Sequence, residues 1–183
     1  MIIESAGVGR YGAEVTPEGM IASLCTTTEV QHHVNHDHGK SYSFVVSKTP
    51  TGAGDCFAFI QNTDDLDMLI TSITLACAAD DNIQIKLGDD VSTAAGGTTT
   101  TMVNRNAGSG NTADVVAESG VNITNLTGGL VVDDIFLDAG TSAVKISWGS
   151  HLVVPKNQTI SFWAVTGTAA INMTLSVHFH SKE

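Results

Sequence analysis

Ile171-Asn-Met-Thr-Leu-Ser-Val-His-Phe-His180 alternates without a break. Ile171, Met173, Leu175, Val177 and Phe179 fall on one side, and Asn172, Thr174, Ser176, His178 and His180 on the other. A period of two over ten residues fits a half-buried β-strand and no helix. Working back from it, similar segments recur: Met20 to Leu24, Ser41 to Ser47, Cys56 to Gln61, Met68 to Ala76, Asn82 to Leu87, Thr98 to Val103, Val121 to Leu126, Leu130 to Leu137, Ala143 to Trp148, His151 to Val154 and Thr159 to Val165. Turn chemistry separates them, at Gly88-Asp89-Asp90, Gly96-Gly97, Gly108-Ser109-Gly110, Gly128-Gly129, Gly149-Ser150 and, after Val154, Pro155-Lys-Asn-Gln158. Strands and turns in this rhythm predict an all-β sandwich or barrel. The two short helical candidates are Asn111 to Glu118 and Thr63 to Leu69. Residues 1–19 are Gly-rich, lack alternation and are read as an extended N-terminal arm, leaving residues 20–183 as the β domain.

Composition narrows the partners. The chain has 183 residues, and eight Lys and Arg against nineteen Asp and Glu give a net charge of -11. The basic residues are isolated singles, whereas a nucleic-acid binder needs a basic stripe to displace counterions from phosphates. Neither DNA, RNA nor an anionic membrane surface is expected as a partner. No stretch approaches the roughly 20 apolar residues of a membrane span. Charged residues make up only 15% of the chain, against about 25% in an ordinary domain. Thr, Ser, Gly and Asn take their place, so strand faces that would bear Lys and Glu in a monomer can pack against copies without desolvating charge. This favours a homo-oligomer, with a closed trimer as the first expectation.

Three cysteines, Cys25, Cys56 and Cys77, are odd in number and widely spaced, which fits free thiols rather than a disulfide framework or a zinc site. The N-terminus shows neither a basic nor an apolar leader region, and synthesis in a reducing cytoplasm is the expectation.

His32-His33-Val-Asn-His36-Asp-His38 is the most conspicuous polar cluster. His36 and His38 would share a face on a strand, and an H-x-H pair suits a transition metal such as zinc, so these two are the candidate metal ligands. A cupin would add a Glu within a Gly-framed motif, and here Gly39-Lys-Ser-Tyr follows instead. The alternative is a solvent-facing or subunit-contact segment whose charge changes between about pH 5 and 8. His178 and His180 are read as exposed on their sheet. The acid pairs Asp64-Asp65, Asp80-Asp81, Asp89-Asp90 and Asp133-Asp134 lie near turns, without the loop pattern of an EF-hand, and are read as solvated. Trp148, Trp163, Tyr11 and Tyr42 could form a sugar-stacking platform, although core packing is the preferred use. There is no G-x-S-x-G, H-E-x-x-H or Walker loop. The chain is therefore read as non-enzymatic, with no catalytic residues and no cofactor.

Val103-Asn-Arg-Asn-Ala-Gly-Ser-Gly-Asn-Thr-Ala-Asp114 resembles a stretch found in small jelly-roll proteins of tailed-phage virions. So does Leu152-Val-Val-Pro-Lys-Asn-Gln-Thr-Ile-Ser-Phe162, followed by a long alternating C-terminal strand. The resemblance spans roughly residues 66 to 180. It implies an antiparallel β-sandwich of jelly-roll type, present on the virion surface after synthesis in the host cytoplasm. It further implies a capsid decoration (cement) protein that sits as a homotrimer on the major capsid protein. The alternatives are a tail-fibre or receptor-binding tip domain and, from the histidines, a cupin-like metal-dependent enzyme.

Overall fold

The computed structural model describes residues 2–4, 12–15, 21–22, 38–139 and 142–180. The chain divides into two compact units, Met1–Val30 and Gln31–Glu183. In the first, strands β1 (Ile2–Glu4), β2 (Gly12–Val15) and β3 (Ile21–Ala22) pair antiparallel in that order. Residues 1–19, read from the sequence as an arm, thus contain β1 and β2.

The second unit holds β4 (Ser41–Lys48), β5 (Asp55–Asn62), β6 (Asp67–Cys77), β7 (Asp81–Leu87), β8 (Thr98–Thr99), β9 (Val103–Asn104), β10 (Val115–Ile123), β11 (Leu130–Leu137), β12 (Val144–Val154), β13 (Thr159–Ala164) and β14 (Ile171–His180). They form two antiparallel sheets, one ordered β11-β7-β13-β5-β10-β8 and the other β12-β6-β14-β4-β9. No helix occurs among the described residues. Both helical candidates are overturned: Asp67–Cys77 is a strand, and Val115–Ile123 pairs with β5 and β8.

Alternation decides which side of each strand turns inward. β14 lies between β4 and β6 and sends Ile171, Met173, Leu175, Val177 and Phe179 into the core, as its sequence predicts. There they meet Tyr42, Phe44 and Val46 of β4, Ile83 and Ile85 of β7, and Ile160 and Phe162 of β13, making one core between the sheets. The ring of Tyr42 stands edge-on to Phe179 at 5.7 Å. Each such side chain contributes about 1.5–3 kcal/mol by leaving water. β6 changes phase at a bulge: Met68 and Ile70 point inward before it, Ile73 and Leu75 after it, and the Thr71 hydroxyl donates to the Ser176 carbonyl at 2.9 Å.

Two further features frame the surfaces. Residues 88–129, joining β7 to β11, cross to the other side of the sandwich, where β10 extends the sheet beyond β5 and β9 pairs with β4. Part of this connection also covers the six-stranded sheet, where Cys56, Phe59, Ile123 and Leu126 form a second small core with Val91, Ala94 and Trp163 beside it. Gly96 is fixed by that path: its φ is +88°, and a Cβ there would meet the Asn122 carbonyl oxygen at 2.6 Å.

Candidate interaction surface

The outer side of the five-stranded sheet follows directly from strand register. One cross-strand row reads Ser147, Ser72, Ser176, Ser43, Val103. The next reads Lys145, Thr74, Thr174, Val45, and the third Ala76, Asn172, Ser47. Lys145 is the sole charge in these rows, in a chain of net charge -11. Small hydroxyl side chains on a flat sheet leave little bulk, and burying them against a copy costs less than burying Lys or Glu.

A fourth row, Val153, Leu69, His178, Ser41, departs from the expectation of exposed histidines. His178 is 2% exposed and neither ring nitrogen has a hydrogen-bond partner; the Ser41 hydroxyl, directly opposite, is equally unpaired. Burial pushes the His178 pKa down, and the nearby His180 adds to that. Burial thus favours the neutral imidazole.

Of the two candidate metal ligands, His36 lies outside the described residues. His38 is exposed, and its backbone carbonyl accepts from the Asn111 side chain at 2.8 Å. Among the described residues no three His, Cys, Asp or Glu side chains gather into a metal site. Cys25 and Tyr11 are likewise outside the described residues. Cys56 is a buried free thiol whose pKa is pushed up to about 12, chiefly by burial; Cys77 is free and half-buried.

The acid pairs are structural, and two of them are not solvated as expected. Asp81 is buried and its carboxylate accepts from the backbone N–H of Thr166 (2.9 Å) and Gly167 (3.2 Å), closing the loop before β14. Asp89 is buried too, accepting from Gly129 N–H at 2.9 Å and from the Ser161 hydroxyl. Trp163 donates to Ser161 at 2.8 Å, and the Lys86 ammonium sits 3.8 Å from the Trp163 ring centre. Asp133 accepts from the Trp148 indole N–H at 3.2 Å, tying β11 to β12 across the sandwich. Exposed Asp65 pairs with Lys156 and exposed Asp90 caps Ser92 N–H, each contact lowering the carboxyl pKa. Among the described residues, Tyr42 lies in the main core, Trp148 is bonded to Asp133 and Trp163 lies beneath Lys86, so these three aromatics are dispersed. A recess of about 200 Å³ is lined by Thr99, Thr100, Thr101 and Thr112 with Met102 and Val115, and carries no titratable group.

The Asn-rich stretch that carries the family resemblance is a self-bonded loop. Asn104 donates to the carbonyls of Gly39 (2.7 Å) and Asn111 (3.0 Å) and accepts from Asn106 N–H (2.8 Å). Asn106 accepts from Gly108 N–H, and Ser109 from Asn111 N–H. Together with the Asn111–His38 bond, these staple the loop to the chain entering β4.

Compared with known proteins, the chain matches no family model, no curated protein and no solved structure.

Proposed function

We propose that the chain is a non-enzymatic structural protein of a bacteriophage virion surface, a capsid decoration protein that attaches as a homotrimer and cements the shell. The reading of the sandwich as a jelly roll is supported by strand order. If β4, β5, β6, β7, β11, β12, β13 and β14 are numbered one to eight, one sheet runs 6-3-8-1 and the other 5-4-7-2. That nesting is what rolling one long antiparallel hairpin produces, an arrangement common in viral capsid proteins.

Fold alone does not fix function, so the proposal rests on the surface. The observation that carries it is the outer side of the five-stranded sheet: three cross-strand rows of small polar and apolar side chains with Lys145 as their single charge. A surface so poor in charge is suited to contact with another protein surface, because little hydration must be surrendered there. In this reading the neutral face buries against the major capsid protein, protomers associate with one another as well, and the added contacts resist internal pressure. The protein would be made in the host cytoplasm and carried on the particle. Purified protein added to undecorated capsids is expected to bind and to raise their disruption temperature. Absence of binding across a concentration series overturns the proposal.

A further inference from the structure

The two sides of the sandwich are finished differently. Beside β4 and β5, the connection from β7 to β11 adds β8, β9 and β10, so neither of those strands is terminal. On the opposite side β11 and β12 end their sheets, and among the described residues nothing pairs with their outer edges. Long bare edges are normally blunted with Lys, Pro or brevity, because their free N–H and C=O groups recruit other strands.

β11 is blunted only in part, by Asp134 and a register shift between Val131 and Asp133, and otherwise exposes apolar side chains. Leu130 is 74% exposed, Phe136 68%, Val131 50% and Val132 47%. These are four of the nine large apolar side chains exposed among the described residues, concentrated on one eight-residue strand. Behind this strand, Val144, Ile146 and Trp148 of β12 pack against the edge of the main core and remain only partly buried.

Charge argues for what covers it. β11 and β12 together hold Asp133, Asp134 and Lys145, a net of -1 (one base less two acids) within a chain of -11. A second copy, itself carrying -11, is best tolerated where net charge nearly vanishes. Asp133 is engaged by the Trp148 indole, which leaves Asp134 on β11 and Lys145 on β12 as the exposed charges of opposite sign. A two-fold pairing of β11 with its own copy would bring the aspartates together. A head-to-tail contact instead sets Asp134 against Lys145, and a head-to-tail contact that closes makes a ring.

We propose that this open side is the contact between copies of the chain, β11 of one protomer meeting β12 of the next, Asp134 facing Lys145. The stoichiometry rests on the homo-oligomer reading above; the choice of surface does not.

Native mass spectrometry and sedimentation on the full chain test it. Wild type is expected to be oligomeric. Asp134→Lys and Lys145→Glu should each weaken association about tenfold or more, and the double exchange should restore it, since the pair is then reversed rather than broken. Phe136→Glu should yield monomers that keep the wild-type circular dichroism, because the side chain is exposed. If the single variants keep the wild-type mass while Thr174→Lys, on the outer side of the five-stranded sheet, dissociates it, this surface is wrong and the homo-oligomer reading survives. If wild type is monomeric at every concentration, this inference and the trimer both fall. Capsid attachment by that monomer would still uphold the cement role.

Discussion

His178 is a histidine that ordinary sheet statistics would leave in water, yet it is buried without a partner for either ring nitrogen. A buried polar group without a bond is costly, and a charged one costs more. The consequence is a pH dependence whose sign can be worked out. Above the unfolded-state pKa of about 6.5 both states hold the ring neutral, and the residue contributes no slope. As pH falls below that value the unfolded chain takes up a proton that the native state resists, because burial, with His180 adding to it, has lowered the native pKa. Stability therefore falls with pH across this window, until the native pKa is also passed. Thermal melts from about pH 7 to about pH 5 should show a declining midpoint in wild type and a shallower decline in His178→Leu. Equal slopes in the two proteins would remove His178 as the cause. Nothing in Val177-His-Phe179 announces the burial of His178. Alternation alone assigns His178 to the outer side, and only the completed sheet, with Ser41 and Leu69 on either side, reveals its surroundings.

At the scale of elements, the loop from β9 to β10 has a defined task. Asn104 makes three hydrogen bonds that join the loop to itself and to Gly39, just before β4. At about 0.5–1.5 kcal/mol for each bond, Asn104→Ala should lower unfolding free energy by about 2 kcal/mol in a urea titration. A loss below about 0.5 kcal/mol would mean that water replaces the bonds freely. Legibility varied among the strands for physical reasons. β14 and β11 have the ends their patterns predict, Ile171 to His180 and Leu130 to Leu137. The sequence of β10 reads as a short helix followed by a later strand, because Thr112-Ala-Asp-Val-Val-Ala-Glu-Ser119 mixes helix-tolerant residues with short alternation. Pairing with β5 overrides that weak preference and buries Ala117 and Ser119. Gly149-Ser150, which resembles a turn between two strands, lies instead inside β12, where the register with β6 shifts between Ser147 and Leu152. The acids had a similar fate: Asp81 and Asp89 sit in turn-forming dipeptides, and only the fold reveals which backbone amides approach them.

For the whole molecule, the contrast between a closed and an open side predicts an uneven distribution of local stability. β6, β14, β13 and β5 have a hydrogen-bonded neighbour on both sides, whereas β11 and β12 have one each. Amide hydrogen exchange should be slowest in the first four and fastest along Leu130–Val132, where three consecutive side chains are exposed. Dilution that separates protomers should accelerate exchange in β11 and β12 selectively, and a uniform response would argue that copies meet elsewhere. The surface logic was partly legible from composition, since so few charges spread over so many strands must leave neutral faces. Which face is bare and which is covered was not, because residues 88–129 carry no signal of the side to which they cross.

The place of β14 has a consequence for synthesis. This strand is the last described segment to emerge from the ribosome, yet it sits in the middle of its sheet, bonded to β4 on one flank and β6 on the other. Until it arrives, the nascent polypeptide holds two unzipped seams lined with Phe44, Ile73 and Leu75, and a product terminated before Ile171 keeps them permanently. Such fragments are candidates for chaperone capture and clumping, while completion of the strand closes both seams at once.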